Sequence, residues 1–122
     1  MFHDDGPAWM AAADRAARSL VATTRKARGA RQSVYVVLLR DGRRDDPWGL
    51  YVGQTSRDPD LRFDQHKSGY KASGVTRRFG VHLLPDLVAH LNPMRPWEAL
   101  DLEAALAEAF REAGVSWVEG GH

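Results

Sequence analysis

Two short apolar runs constrain this chain more than any other feature. Residues 34–39 read Val-Tyr-Val-Val-Leu-Leu and residues 50–53 read Leu-Tyr-Val-Gly, separated by a charged stretch carrying Gly42, Pro47 and Gly49. β-Branched, aromatic and aliphatic side chains fill pleated, half-buried surfaces, while Gly, Pro and Asp between two such runs turn the chain back on itself. An antiparallel hairpin with a long loop follows, and the rest of the chain must extend it or pack on it.

Helix and strand signals alternate around that hairpin. Residues 7–29 predict a helix: Pro7 suits a first turn, alanines abound, Trp9, Met10, Ala13, Ala17, Leu20 and Val21 form a stripe, and Gly29 stops it. After the hairpin, Asp58 offers an N-cap and Pro59 a first helical residue, for a short helix through Leu61 and Phe63 to Gly69. Residues 79–84 predict a third strand, cut by Pro85, and Pro93 and Pro96 forbid regular structure before a final helix over about 97–113. Gly114 closes that helix, and residues 115–118 predict a last strand. This order predicts an α+β fold: a small mixed or antiparallel sheet of three or four strands flanked by helices. A length of 122 residues suits one domain, read as a basic helical extension over 1–32 and a compact unit over 33–122. The chain has no cysteine, which excludes disulfides and thiolate metal sites, and its first thirty residues lack a long apolar core; a cytoplasmic protein is expected.

Charge is unevenly spread. Residues 1–96 hold 16 Lys and Arg against 10 Asp and Glu, whereas residues 97–122 hold 1 against 6. A basic body suits phosphates, and an acidic final helix raises the question of what its carboxylates bind. At about 100° per residue, Ala99, Leu102, Leu106, Ala109, Phe110 and Ala113 share one stripe, with Glu103 roughly 60° from its centre. Asp101, Glu108 and Glu112 project away, and Glu98 falls at the opposite edge of the first turn, where it favours the helix dipole. Glu103 is therefore the mid-helix carboxylate aimed at the packed side, and it needs a metal or a basic side chain as partner. Periodicity alone favours an ion pair with an arginine.

Other residues fit phosphate chemistry. Arg62 and His66, four apart, share a helix face, and a guanidinium grips phosphate oxygens while a histidine donates or handles a proton. Lys67, Lys71, Arg77 and Arg78 form a basic run interleaved with Tyr70 and Phe79, suited to a nucleic-acid backbone. Arg25, Lys26, Arg28 and Arg31 read as cations at a helix C-terminus in preference to a phosphate-contacting arm. Tyr35 and Tyr51 are core aromatics taken singly; facing one cleft, their hydroxyls would order a nucleophilic water or act as base. The five histidines fit no metal-ligand spacing.

Taken in order, Val34-Tyr35, then Tyr51-Val52-Gly53-Gln54-Thr55, then Asp58-Pro59 with Arg62, His66 and Gly69, then Ala99-Leu100-Asp101-Leu102-Glu103 resembles the motif series of the GIY-YIG nuclease superfamily. The resemblance covers residues 33–122 and implies a metal-dependent endonuclease. Tyr35 and Tyr51 match the tyrosines of the first two motifs, Arg62 the helix arginine that binds the scissile phosphate, and His66 a histidine of some members. Glu103 matches the single carboxylate that holds Mg²⁺ or Mn²⁺, and Lys71 a position where some members place a lysine. Ser33 replaces the first glycine of the family name, the loop between the motifs is longer than usual, and Gly120-Gly121-His122 stands where several members have an asparagine. DNA is implied more than RNA, with weak sequence preference or reliance on a nucleic-acid structure, a partner or a homodimer, and with no membrane. The competing expectation is a catalytically inactive module on the same fold, binding nucleic acid or protein.

Overall fold

A computed structural model describes residues 6–68 and 74–121, excepting the side chain of His66. The hairpin is its centre. Strands β1 (Ser33–Arg40) and β2 (Trp48–Thr55) pair antiparallel, from Ser33 opposite Thr55 to Arg40 opposite Trp48. Strand β3 (Gly80–Leu83) joins the outer edge of β1 antiparallel, and β4 (Val118–Gly120) joins β2 in parallel. The result is a mixed four-stranded sheet in the order β3-β1-β2-β4.

Both faces of the hairpin are covered, which is why β1 reads as an unbroken apolar run. Val34, Val36, Leu38, Leu50 and Val52 face α1 (Met10–Arg18) and α4 (Pro96–Glu112), meeting Ala13, Ala17, Ala99, Leu102, Leu106 and Phe110. Tyr35, Val37 and Leu39 face the opposite way, towards Phe63 on α2 (Pro59–Ser68), Val75 and Phe79 on α3 (Gly74–Phe79), and Trp117. Fully buried Leu39, Leu50, Leu106 and Phe110 each contribute roughly 1.5–3 kcal/mol of transfer free energy. Beyond β3, Asn92 acts as a substitute strand: its Oδ1 accepts from Val34 N–H at 2.9 Å and its Nδ2 donates to Val34 C=O at 2.8 Å. Asp46 pins the hairpin loop by accepting from Trp9 Nε1, Ser116 Oγ and the Trp48 amide, each at 3.2 Å.

Several boundaries differ from the sequence reading. The first helix covers Met10–Arg18 and not 7–29. Tertiary partners end it: His90 Nε2 donates to the carbonyls of Ala17 and Leu20, and Glu98 takes the amides of Thr23 and Thr24 that an α-helix would have used. Arg25, Lys26, Arg28 and Arg31 therefore do not sit at a helix C-terminus. Residues 74–79 form a helix that the sequence reading left within a basic run. The third strand begins at Gly80, after that helix. Pro96 opens α4 as its first residue, where its missing N–H costs nothing. The last strand is Val118–Gly120 and not 115–118, because Val115 and Trp117 are buried as packing residues of the approach to it. Gly69 lies outside the described residues. Among the described residues, no helix is long and apolar enough to cross a membrane.

Candidate active site

The hairpin register decides which side chains meet. Tyr35 lies opposite Gly53 and Tyr51 opposite Val37, so both tyrosines share the face towards α2. They are diagonal neighbours, with ring centroids 6.1 Å apart and planes tilted by 37°. Gly53 makes this possible, because a Cβ there would stand 2.6 Å from the Tyr35 hydroxyl and Cζ. The Tyr35 ring thus crosses β2 over a position without a side chain.

Electrostatics at the Tyr35 hydroxyl show what surrounds it. Burial pushes its pKa well above the ordinary phenol value, and the neighbouring Tyr51 adds to the rise. Arg62 pulls in the opposite direction, while a side-chain hydrogen bond with Tyr51 and the charge of Glu103 raise it further. A hydrogen bond that raises a phenol's pKa favours its neutral form, as one in which Tyr35 donates to Tyr51 does. Groups from β2, α2 and α4 therefore act together on one hydroxyl, which stays protonated.

Arg62 is placed by the start of α2. Asp58 Oδ1 accepts the Asp60 amide at 2.8 Å and the Asp58 carbonyl accepts the Arg62 amide at 3.0 Å, so Asp58 is the expected cap. The half-buried Arg62 guanidinium also donates from Nη1 to Gln65 Oε1 at 3.2 Å.

Glu103 arrives from the other face of the sheet. It is only 7% exposed, as helical phase predicts, but its partners are not the expected arginine. Gln54 Nε2 donates to Oε1 at 2.9 Å, and the Gly121 amide donates to Oε2 at 3.3 Å while also reaching Val52 C=O at 3.1 Å. Among the described residues, none of the ion pairs involves Glu103. Gly121 sits at φ +81°, and a Cβ there would collide with Ala107. Strand β4 ends opposite Val52, so Gly53, Gln54 and Thr55 continue past it along the β2 edge.

This donor set suits a hard divalent cation. An ionised carboxylate has about four lone-pair sites, and two donors leave room for an ion. Among the described residues, no three His, Asp or Glu side chains come together, so there is no all-protein cage. A Mg²⁺-like ion, held by one carboxylate, waters and substrate phosphates, fits Glu103 better than tetrahedral zinc does.

The remaining expected residues separate. Lys67 Nζ donates to the carbonyls of Arg77 and Gly80, at 3.2 and 2.9 Å, and so caps α3. Arg77 and Arg78 lie exposed on the last turn of α3, with the Arg78 guanidinium 5.1 Å from the Phe79 ring centre. Lys71 and His122 lie outside the described residues, as does the side chain of His66. Sequence reasoning gave no role to Gln54, whose neighbours depend on a strand register that a long hairpin loop does not specify. It also left Glu98 at a helix edge, although Glu98 is buried. No family model matches the chain, nor does any curated protein or solved structure.

Proposed function

We propose that this chain is a GIY-YIG-type, metal-dependent endonuclease that hydrolyses phosphodiester bonds, with DNA favoured over RNA as its substrate. The observation that carries the reading is the shared face of Tyr35 and Tyr51 over Gly53, with Arg62 and Glu103 near enough to influence the Tyr35 hydroxyl. Two phenols, a guanidinium and a buried carboxylate supply what in-line phosphodiester hydrolysis needs: a base, a phosphate clamp and a cation ligand.

Arg62 grips non-bridging oxygens of the scissile phosphate. Glu103, held by Gln54 and Gly121, presents its remaining lone pairs to the cation, which when bound offsets charge on the phosphoryl and leaving oxygens. Tyr35 stays protonated, so its hydroxyl is available to donate to Tyr51. Tyr51, the less buried of the two, takes a proton from the attacking water as its oxygen bonds to phosphorus and the opposite P–O bond breaks. Tyr35 is in this scheme a positioning residue and Tyr51 the base.

Purified protein is expected to nick plasmid or branched DNA with Mg²⁺ or Mn²⁺. Glu103→Ala and Arg62→Ala each lower the rate by on the order of 10²- to 10³-fold or more, with unchanged circular dichroism. Folded protein that cuts no DNA or RNA with any divalent metal refutes the reading. A second reading, a binding module without turnover, draws on the absence, among the described residues, of any group of three or more His, Asp or Glu side chains placed to hold a metal ion. It predicts salt-dependent binding that is indifferent to Glu103→Ala.

A further inference from the structure

Where β1 and α4 begin, the surface is hollowed into an open basin of about 660 Å³ lined by Arg28, Arg31, Gln32, Ser56, Arg95 and Trp97. All three arginines are exposed, and among the described residues none is in an ion pair. The hairpin-loop arginines differ, since Arg43 and Arg44 both pair with Asp41. Among the described residues, no carboxylate lines the basin. Glu98, next to Trp97 in the chain, turns inward onto Thr23 and Thr24.

Trp97 is 55% exposed at the second residue of α4, so most of its indole is spent on neither core nor cap. A stacking surface set among unpaired guanidinium groups matches a strand whose bases are free to stack, and duplex DNA would leave the indole unused. The basin also adjoins the candidate active site. Ser56 follows the last residue of β2, and Gln32 Nε2 donates to Gln54 Oε1 at 3.2 Å while Gln54 donates onward to Glu103 at 2.9 Å.

We propose that this basin binds an unpaired DNA strand, one base stacked on Trp97 and neighbouring phosphates held by Arg28, Arg31 and Arg95, and leads it towards Glu103. The destination of the strand rests on the nuclease reading; the binding does not. The substrate preferred by such a site is DNA in which a single strand meets a duplex.

The test is fluorescence anisotropy of a labelled single-stranded 15-mer and of its duplex with the full chain, in EDTA so that nothing is cut. Trp97→Ala weakens single-strand binding by about 10-fold and leaves duplex binding within about twofold, whereas Trp97→Phe retains most of the affinity. Arg28→Ala combined with Arg31→Ala flattens the salt dependence by about 1.4 in log–log slope, about 0.7 for each phosphate no longer neutralised. Arg95 is left intact, because its Nε donates to the Arg28 carbonyl at 2.8 Å. Variants that bind the strand like the parent overturn the proposal, as does a polyglutamate peptide that displaces the strand as well as unlabelled strand of equal charge. Protein that fails to cut DNA but shows the Trp97 dependence refutes the nuclease reading and keeps the basin; protein that cuts but shows no such dependence does the reverse.

Discussion

Glu98 and Glu103 both lie buried on α4, one in its first turn and the other a turn and a half later. Glu98 accepts four hydrogen bonds, from the amides and the hydroxyls of Thr23 and Thr24, which fill its lone-pair sites. Burial by itself raises its pKa, but those four donors outweigh burial and bring it down to about 2. Among the described residues, Glu103 accepts only from the Gln54 amide and, at 3.3 Å, from the Gly121 backbone. The first carboxylate is saturated and clamps the N-terminal segment to α4; the second is held in place with acceptor capacity left over. Burial of a carboxylate therefore does not by itself mark a site; the role proposed for Glu103 rests on its spare acceptor capacity beside other polar groups.

The contrast is breakable, beginning with its largest consequence. Glu98→Ala strands the Thr23 and Thr24 donors and is expected to cost about 2–4 kcal/mol, lowering Tm by about 10 °C in calorimetry. The pH dependence has a definite sign. Because the folded pKa is depressed, this stability is fully present above the ordinary glutamate value and is lost as pH falls through it towards 2. An acid melting series with Glu98→Gln shows a smaller loss over that window than the parent. Gln54→Leu, which removes the better of the two Glu103 donors, lowers metal-dependent cleavage by about 10-fold and Tm by only a few degrees. A Tm loss as large as that of Glu98→Ala would make Glu103 a second clamp. The smallest effect is a displacement of the pH–rate profile. On the proposed scheme, Tyr35→Phe removes a hydrogen-bonding hydroxyl from beside the base Tyr51 and moves the rising limb up by about 1 pH unit.

The same two residues show why part of the molecule was legible in the sequence and part was not. Glu103 borders the apolar stripe that α4 presents to the sheet, so helical phase alone locates it. Glu98 is covered by Thr23 and Thr24, more than seventy residues away, and no periodicity within α4 carries that contact. The hairpin was legible because both its faces are buried and its composition says so. Helix α3 was not, since its six residues hold two arginines and a glycine without a repeating stripe. Strand β4, which contains Glu119 and Gly120, lacks β propensity and exists because it completes the edge of β2. Arg62 was marked by its spacing to His66 and the two tyrosines chiefly by resemblance, but the tyrosines' common face required the register, which places Gly53 beneath the Tyr35 ring.

The most direct test sets Glu103→Gln beside Glu98→Gln and measures thermal stability and Mg²⁺-dependent DNA cleavage for both. Glu103→Gln is expected to melt within a few degrees of the parent and to lose at least about 10²-fold in cleavage rate, while Glu98→Gln melts lower yet cuts at the parental rate when folded. A Glu103→Gln protein that cuts as well as the parent, or that fails only because it unfolds, contradicts the assignment of Glu103 as the functional carboxylate.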